Sequence, residues 1–510
     1  MSDSLREPWL RGIALNPAAP SDVLIRLLDA SAGPARRLMC ESRDLPDEVI
    51  DAALRHPDLQ VRRALAINRH VDPASLAPLA TDPSSTVRGR LAGSPWPRPR
   101  RVRPLPDDIL VTLLTAQDSG EDGLLTAQEI IQELLSSRQI PLSFHRAMAD
   151  HEHPAIRIRA SSRWQFLTPE QRQALLHDPD PAVREAAREN SWELDPEAVE
   201  AVLPTIGSLS KPFVLGTCVL SPALVEQCFA DGTVHPLARN PHTPADPLTR
   251  LARHPDAEIR KTVAARPDLD PDLATALAQD PDEAVRTRAR LHPFPRTWPE
   301  YWAIERVIGH GPDCTCPIDE PATEPAPDWY TACAASEEPV LRRVAATWPG
   351  LPPHLVRPLS QDDDEEVRVR LACHHPLAPP ALLLAVFVTR PAHRPHLLTL
   401  PHLPRTGLAH LLTHPDPEVR TLAAADPTLP APPLTDPDAS VRRAAAANPA
   451  LRPDALEPLL TDPRTAEGAA SNPSLPAPRM HTLLDHCLEG AALRRPPTFV
   501  RGQKSGGTRS

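Results

Sequence analysis

The sequence predicts an all-α solenoid, a stack of about a dozen short two-helix repeats. A motif that ends in an apolar residue and an arginine returns at a nearly constant interval. Apolar residues with helical spacing surround each copy. The prolines, 67 of 510 residues, fall between these stretches. Because an interior proline removes a donor and clashes with the preceding turn, this content is compatible only with short helices.

The motif reads HPDAEIR at residues 254–260 and returns as HPDLQVR at 56–62 and as HPDPEVR at 414–420. Its final residue defines ten anchor arginines, and three successive pairs of them are 26 residues apart. The anchor arginines are Arg62, Arg88, Arg157, Arg184, Arg260, Arg286, Arg342, Arg368, Arg420 and Arg442. A fixed period of this length is typical of a solenoid.

The stretch from Asn240 to Arg266 illustrates one unit. An Asn-Pro turn precedes a short helix that places Leu248 and Leu251 on one side. His-Pro-Asp then ends this helix and begins a second one, with proline and an acid in the favoured first turn. Ile259 and Val263 form the buried face of the second helix. A helix pair this short cannot bury its apolar side alone, so the units must stack.

The anchor arginines favour a structural role. In eight of ten cases an acid stands four residues earlier, which predicts an (i, i+4) ion pair on the helix surface. In a stack the same arginine can also reach an acid of the adjoining unit. The predicted structural ladder consists of Arg62, Arg88, Arg184, Arg260, Arg286, Arg368, Arg420 and Arg442. The alternative is that these arginines bind an anionic ligand.

The unit pattern, seen well from Asn448-Pro449-Ala450-Leu451 to Asp462-Pro463, resembles the leucine-rich repeat variant family. This resemblance implies a right-handed, HEAT-like superhelix of alternating α- and 3₁₀-helices over about two thirds of the chain. A founding member of the family carries an iron–sulfur cysteine cluster before its repeats. Here the first 200 residues contain only Cys40, so we expect no such cluster. The resemblance specifies a fold and transfers no shared chemistry.

Breaks in the repeat divide the chain into eight segments. They are 1–93, N-terminal repeats; 94–150, a Pro/Arg linker and a helix-loop-helix insertion; 151–205, repeats; 206–236, a degenerate segment; 237–293, repeats; 294–336, an aromatic and cysteine insertion; 337–490, C-terminal repeats; and 491–510, a basic tail. We expect the tail to be disordered. The linker at 94–104 is expected to be stiff and exposed, and the alternative is a basic loop that binds phosphate.

The first insertion contains a partial match to a calcium-binding loop at residues 118–129. Asp118, Asp122, Thr126 and Glu129 fall at positions 1, 5, 9 and 12 of the template, with glycine at position 6. Position 3 is also a glycine and offers no ligand. The alternative is that Thr126 and Glu129 form a capping box that begins a helix.

The central insertion contains a candidate metal site formed by His310, Cys314, Cys316 and Cys333. Three thiolates and an imidazole form a recognised zinc set, and thiolates also bind iron–sulfur clusters. Aromatic residues on either side can shield such a site. The alternative is that the cysteines are small packing residues.

The sequence favours a non-enzymatic scaffold that binds a protein or peptide partner along its concave face. It contains no Gly-x-Ser-x-Gly, P-loop or His-Glu-x-x-His motif. We therefore expect no cofactor, and the alternative is a module that carries zinc or an iron–sulfur cluster at residues 310–333. A net charge of −11 disfavours nucleic acid as a binding partner.

The chain is expected to be cytoplasmic. It has no apolar window long enough for a membrane span and no secretory start, and its eight cysteines are unevenly spaced. Its arginine-rich composition suggests a bacterial source.

Overall fold

A computed structural model of the chain describes residues 3–94, 103–117, 124–137, 139–164, 167–208, 210–291, 297–309 and 325–492. Throughout these ranges the backbone forms helices and turns, without a β-strand. The predicted all-α solenoid is confirmed. None of the described helices is both long and apolar enough to cross a membrane.

The α-helices are short, and most contain two to three turns. In the first half of the chain they are α1 Arg6–Leu15, α2 Ser21–Arg26, α3 Pro34–Ser42, α4 Asp47–Leu54, α5 Leu59–Ala66, α6 Ser85–Gly93, α7 Asp107–Leu114, α8 Ala127–Ser137, α9 Leu142–Ala147, α10 Pro154–Ser161, α11 Pro169–Leu176, α12 Pro181–Asn190, α13 Pro196–Val202, α14 Lys211–Thr217, α15 Pro222–Ala230 and α16 His235–Arg239.

In the second half they are α17 Ala245–Leu251, α18 Ala257–Ala264, α19 Pro271–Leu277, α20 Glu283–Arg290, α21 Trp298–Gly309, α22 Pro327–Ala334, α23 Pro339–Thr347, α24 Pro353–Ser360, α25 Glu365–His374, α26 Pro380–Thr389, α27 Arg394–Leu397, α28 Pro417–Ala424, α29 Ala439–Ala446, α30 Pro453–Thr461, α31 Ala466–Ala470 and α32 Ala477–Ala492. The described 3₁₀-helices are Asp3–Leu5, Ala30–Ala32, Pro73–Thr81, Met148–Asp150, Ser191–Leu194, Leu203–Thr205, Pro391–His393 and Ala409–Leu411.

A typical repeat consists of a first helix, such as α17, and a second helix, such as α18. Asp256 begins the second helix as its N-cap, because its carboxylate accepts a hydrogen bond from the backbone N–H of Glu258 at 2.9 Å. Leu251 of the first helix and Val263 of the second are fully buried in one apolar cluster. The second helices α16, α18 and α20 pack side by side, and this stacking forms a continuous core.

The chain divides into two compact units. One unit contains the described residues within 1–97, 118–133 and 405–510, and the other contains those within 98–117 and 134–404. In the first unit the second helices stack in the order α28, α29, α31, α1, α3, α5 and α6. The first repeat of the chain therefore packs directly on the last one.

In the second unit, helices fill segments in which the sequence pattern is weak. The degenerate segment at 206–236 contains α14 and α15, and α14, α16 and α18 continue the row of second helices. In the central insertion α21 packs against α23, beside the contact between α23 and α25. The helix α21 thus occupies the position of a second helix, although its sequence lacks the repeat motif.

Candidate functional site

Five anchor arginines bind the following repeat through a two-point bond to an aspartate. Arg260 donates from Nε to Asp280 Oδ2 at 2.8 Å and from Nη2 to Oδ1 at 3.0 Å. The same arginine donates from Nη1 to the carbonyls of His254 and Pro255 in its own loop. The other pairs of this kind are Arg62–Asp82, Arg157–Asp178, Arg342–Asp362 and Arg420–Asp436.

The remaining anchor arginines bind the loop of their own repeat. For example, Arg286 donates from Nη1 to the carbonyl oxygens of Asp280 and Pro281, at 2.7 and 2.8 Å. Arg88, Arg184, Arg368 and Arg442 make the same pair of contacts with their own loops. Of the eight arginines of the predicted ladder, Arg62, Arg260 and Arg420 make the two-point bond between repeats, whereas these five bind the loop of their own repeat.

The expected (i, i+4) partner has a different role. The carboxylate of Asp256, four residues before Arg260, caps the second helix. The two-point partner of Arg260 is Asp280, twenty residues further along the chain. This corrects the expected surface pairing, because an N-cap carboxylate turns back toward the first N–H groups of its helix. The Arg260 guanidinium, which hydrogen-bonds Asp280, holds the pKa of that carboxyl below its usual range.

A second set of bonds between repeats was missed by the sequence analysis. Asn240 is 1% exposed, and its Nδ2 donates to the carbonyl oxygens of Leu215 and Cys218 in the preceding repeat, at 2.9 and 2.7 Å. Five asparagines make this double donation and define the asparagine ladder: Asn16, Asn68, Asn240, Asn448 and Asn472. The signal in the sequence is an asparagine that directly follows a second helix, usually before proline, and this pair by itself predicts only a turn.

Other residues, Arg43 among them, replace asparagine at equivalent positions. The buried Arg266 donates from Nη1 to the carbonyl oxygens of Ala238 and Asn240. His375 contacts the carbonyl oxygen of Leu351 through Nε2 at 3.1 Å, and its Nδ1 accepts the N–H of Leu377 at 3.1 Å. Because Nδ1 is an acceptor here, His375 is the neutral tautomer with the proton on Nε2. The imidazole therefore imitates an asparagine amide.

The structure describes one of the four candidate metal ligands. His310, Cys314 and Cys316 lie outside the described residues, so the zinc or iron–sulfur site remains a prediction. Cys333 is 1% exposed within the apolar cluster that surrounds α22 and α23. Burial raises the pKa of its thiol, which favours the protonated form of a packing residue. Among the described residues, His, Cys, Asp and Glu side chains form no group suited to a metal ion.

The aromatic residues of the central insertion have mainly packing roles. Trp329 and Tyr330 are buried, and the Tyr330 ring stacks on Trp348 with 4.8 Å between the ring centroids. Trp302 of α21, in contrast, is 49% exposed.

Only part of the proposed calcium loop is described, because Asp118 and Asp122 lie outside the described residues. Thr126 and Glu129 form the alternative capping box. The N–H of Glu129 donates to Thr126 Oγ1 at 3.1 Å, and the N–H of Thr126 donates to the Glu129 carboxylate at 2.8 Å. The capping box is therefore confirmed. Arg98, Arg100 and Arg101 of the linker and residues 493–510 also lie outside the described residues.

A groove between two neighbouring repeats is the candidate interaction surface. It has a volume of about 560 Å³ and lies between α24 and the start of α26. Its lining consists of Pro353, Val356, Arg357, Ser360, Gln361, Leu377, Pro379, Ala381 and Leu382. Leu377 stands at its edge with 56% of its surface exposed. The hydrogen bond to His375 fixes the turn that presents this leucine.

A comparison with known families supports this description of the repeat. Residues 257–282 match a family described as leucine rich repeat variant. Over these residues the chain is similar to a leucine rich repeat variant repeat. This repeat includes α18 and α19, together with Arg260, Arg266 and the Asp280 that Arg260 binds. The resemblance inferred from the sequence is thus confirmed, and the matching repeat contains both kinds of bond between repeats. No curated protein matches the chain.

Proposed function

We propose that this chain is a non-enzymatic cytoplasmic scaffold that binds a protein or peptide partner along the concave face of its repeats. We place the contact at the groove between α24 and α26. The observation that carries this proposal is the exposed Leu377 beside an apolar groove. A large apolar side chain in water is a favourable contact for a partner, because its burial contributes about 25 cal/mol per Å².

The groove has the composition expected of a peptide site. Val356, Leu382 and the prolines provide apolar surface, while Ser360 and Gln361 provide hydrogen-bonding groups at one edge. Arg357 adds an exposed positive charge. This combination favours an extended segment that inserts an apolar side chain and places an acidic residue near Arg357.

The arrangement of the arginines also supports a protein partner. Five anchor arginines use their guanidinium groups to join repeats, as Arg260 does with Asp280, and the other five bind the loop of their own repeat, as Arg286 does. Nucleic acid binding depends on cations that are available to phosphates, and the net charge of the chain is −11. Both observations favour a scaffold over a nucleic acid binder.

A matched pair of variants tests the proposal. Peptides are first selected against the full chain from a display library of random sequences, and their affinities are then measured by fluorescence polarisation. We expect Leu377→Glu to weaken binding at least about tenfold, because it places a charge in an apolar contact. Leu398→Glu is the control, since Leu398 is 45% exposed but does not line the groove. Equal affinity for both variants, or selected peptides that do not compete with one another, would contradict binding at the groove.

A further inference from the structure

The first and last repeats of the chain form a junction with the same contacts that join successive repeats elsewhere. Asn16 donates from Nδ2 to the carbonyl oxygens of Ala470 and Asn472, at 3.0 and 2.7 Å. Asn472 makes the equivalent bonds to Ala446 and Asn448, at 2.9 and 2.8 Å. The asparagine ladder thus continues from the end of the chain to its beginning.

At the junction the helix backbones also approach each other as closely as those of two successive repeats. A Cβ atom at Gly468 would lie 2.8 Å from the Cβ of Ala446 in the preceding second helix. A Cβ atom at Gly12 would lie 2.5 Å from the Cβ of Ala470. Glycine therefore permits the same close packing of α31 on α29 and of α1 on α31. The N-terminal helix occupies the position of the next repeat.

Apolar and polar groups on both sides complete the junction. Ile13, Leu24 and Leu483 are fully buried. The indole Nε1 of Trp9 donates to the carbonyl oxygen of Leu460 at 2.9 Å. At the more exposed edge, Arg26 of α2 pairs with Asp485 of α32, and Asp22 contacts His481 at 2.9 Å. Each side of the junction is therefore a specific partner for the other.

We propose that this junction can open, and that each of the two faces it exposes then binds the opposite face of a second copy of this chain. At internal steps a short loop joins the two repeats, whereas α1 and α31 lie at opposite ends of the sequence. Separating them breaks only non-covalent contacts. The two faces are different and complementary, so two open chains can form both junctions between them in a closed dimer. Exchange of identical elements is a low-cost route to dimers.

Charge reversal at the junction tests the proposal. Arg26→Glu places like charges opposite Asp485, and Asp485→Arg does the same opposite Arg26. Each substitution therefore weakens the junction within its own chain. When the two variants form an exchanged dimer, the two substituted side chains face each other at one junction, and the native Arg26 and Asp485 face each other at the other. Both junctions then regain opposite charges, but only between different chains.

The two full-length variants are co-expressed with different affinity tags, purified through both tags and weighed by native mass spectrometry. We expect a one-to-one pair of chains, each of 55.7 kDa, with a yield at least about threefold above that of two tagged wild-type chains. The double variant Arg26→Glu/Asp485→Arg should resemble wild type, which shows that the substitutions permit folding. Arg250→Glu with Glu226→Arg is the matched control, because this exposed pair joins neighbouring repeats away from the junction. Yields equal to those of this control or of wild type would overturn the proposal.

Discussion

Arg260 and Asp280 form a two-point ion pair between successive repeats, with N–O distances of 2.8 and 3.0 Å. Their side chains are only 13% and 7% exposed. Asp280 also accepts the N–H of Asp282 and thereby shapes the loop that begins the next second helix. The Asp280 carboxylate thus takes part both in the stacking of two repeats and in the loop geometry of its own repeat.

Replacing Arg260 is expected to destabilise the chain. Arg260→Ala leaves the largely buried carboxylate of Asp280 without its ionic partner, so we expect a loss of about 2–4 kcal/mol. Arg286→Ala, the control, removes contacts with the carbonyls of its own loop and should cost about 1 kcal/mol. Urea unfolding followed by circular dichroism measures both values. Equal losses would show that the pair between repeats adds little to stability.

The same pair should make stability depend on pH. The pKa of Asp280 is lower in the folded chain than the value of about 4 typical of an unfolded chain. Its contribution is therefore fully present above about pH 4 and is lost as the pH falls through the folded-state pKa. We expect the difference in unfolding free energy between wild type and Asp280→Asn to shrink between pH 6 and pH 3. The control is Asp280→Asn in the Arg260→Ala background, where the ionic partner is already absent and the pH-dependent part of the difference should be smaller.

The asparagine ladder predicts which substitutions His375 tolerates. Asn448 donates to two carbonyl oxygens of the preceding repeat and accepts the N–H of Ala450. His375→Asn should preserve this kind of bonding and change the unfolding free energy by about 1 kcal/mol or less. His375→Leu leaves buried partners without a hydrogen bond and should cost about 2–3 kcal/mol. Thermal and urea unfolding compare the two variants, and equal destabilisation would argue against the ladder role.

The glycines of the second helices predict a steric effect. Gly468→Ala would place a methyl group 2.8 Å from Ala446 Cβ and in contact with the backbone of Arg443. Because helix backbone cannot easily move aside, we expect a loss of about 1–3 kcal/mol. Gly207→Ala is the control, since a Cβ at that glycine meets no atom within 4 Å. A stable Gly468→Ala variant would mean that α31 can separate from α29 without cost.

Local patterns in the sequence were sufficient to predict the repeat. The HPDAEIR motif correctly indicated the end of one helix and the start of a second, although Asp256 is the N-cap of the second helix and does not lie in its first turn. The capping box at Thr126 was also predictable, because it depends on residues close in the chain. For the arginine, the sequence indicated that an acid of the adjoining repeat is within reach but not which acid it is. The acid nearest in sequence to Arg260 caps the helix, and only the stacking offset between repeats brings Asp280 to the guanidinium.

The sequence by itself determined the helical repeat and its period, because short-range spacing decides which side of each helix is apolar. The tertiary structure alone decided which repeats are neighbours. Nothing near Asn16 in the sequence indicates that its amide binds the carbonyls of Ala470 and Asn472. The same helix and loop motif recurs in many repeats, so the local pattern does not indicate which second helix stacks on which. Which pairs form depends on where the whole path of the chain brings its two ends, and no local pattern records that path.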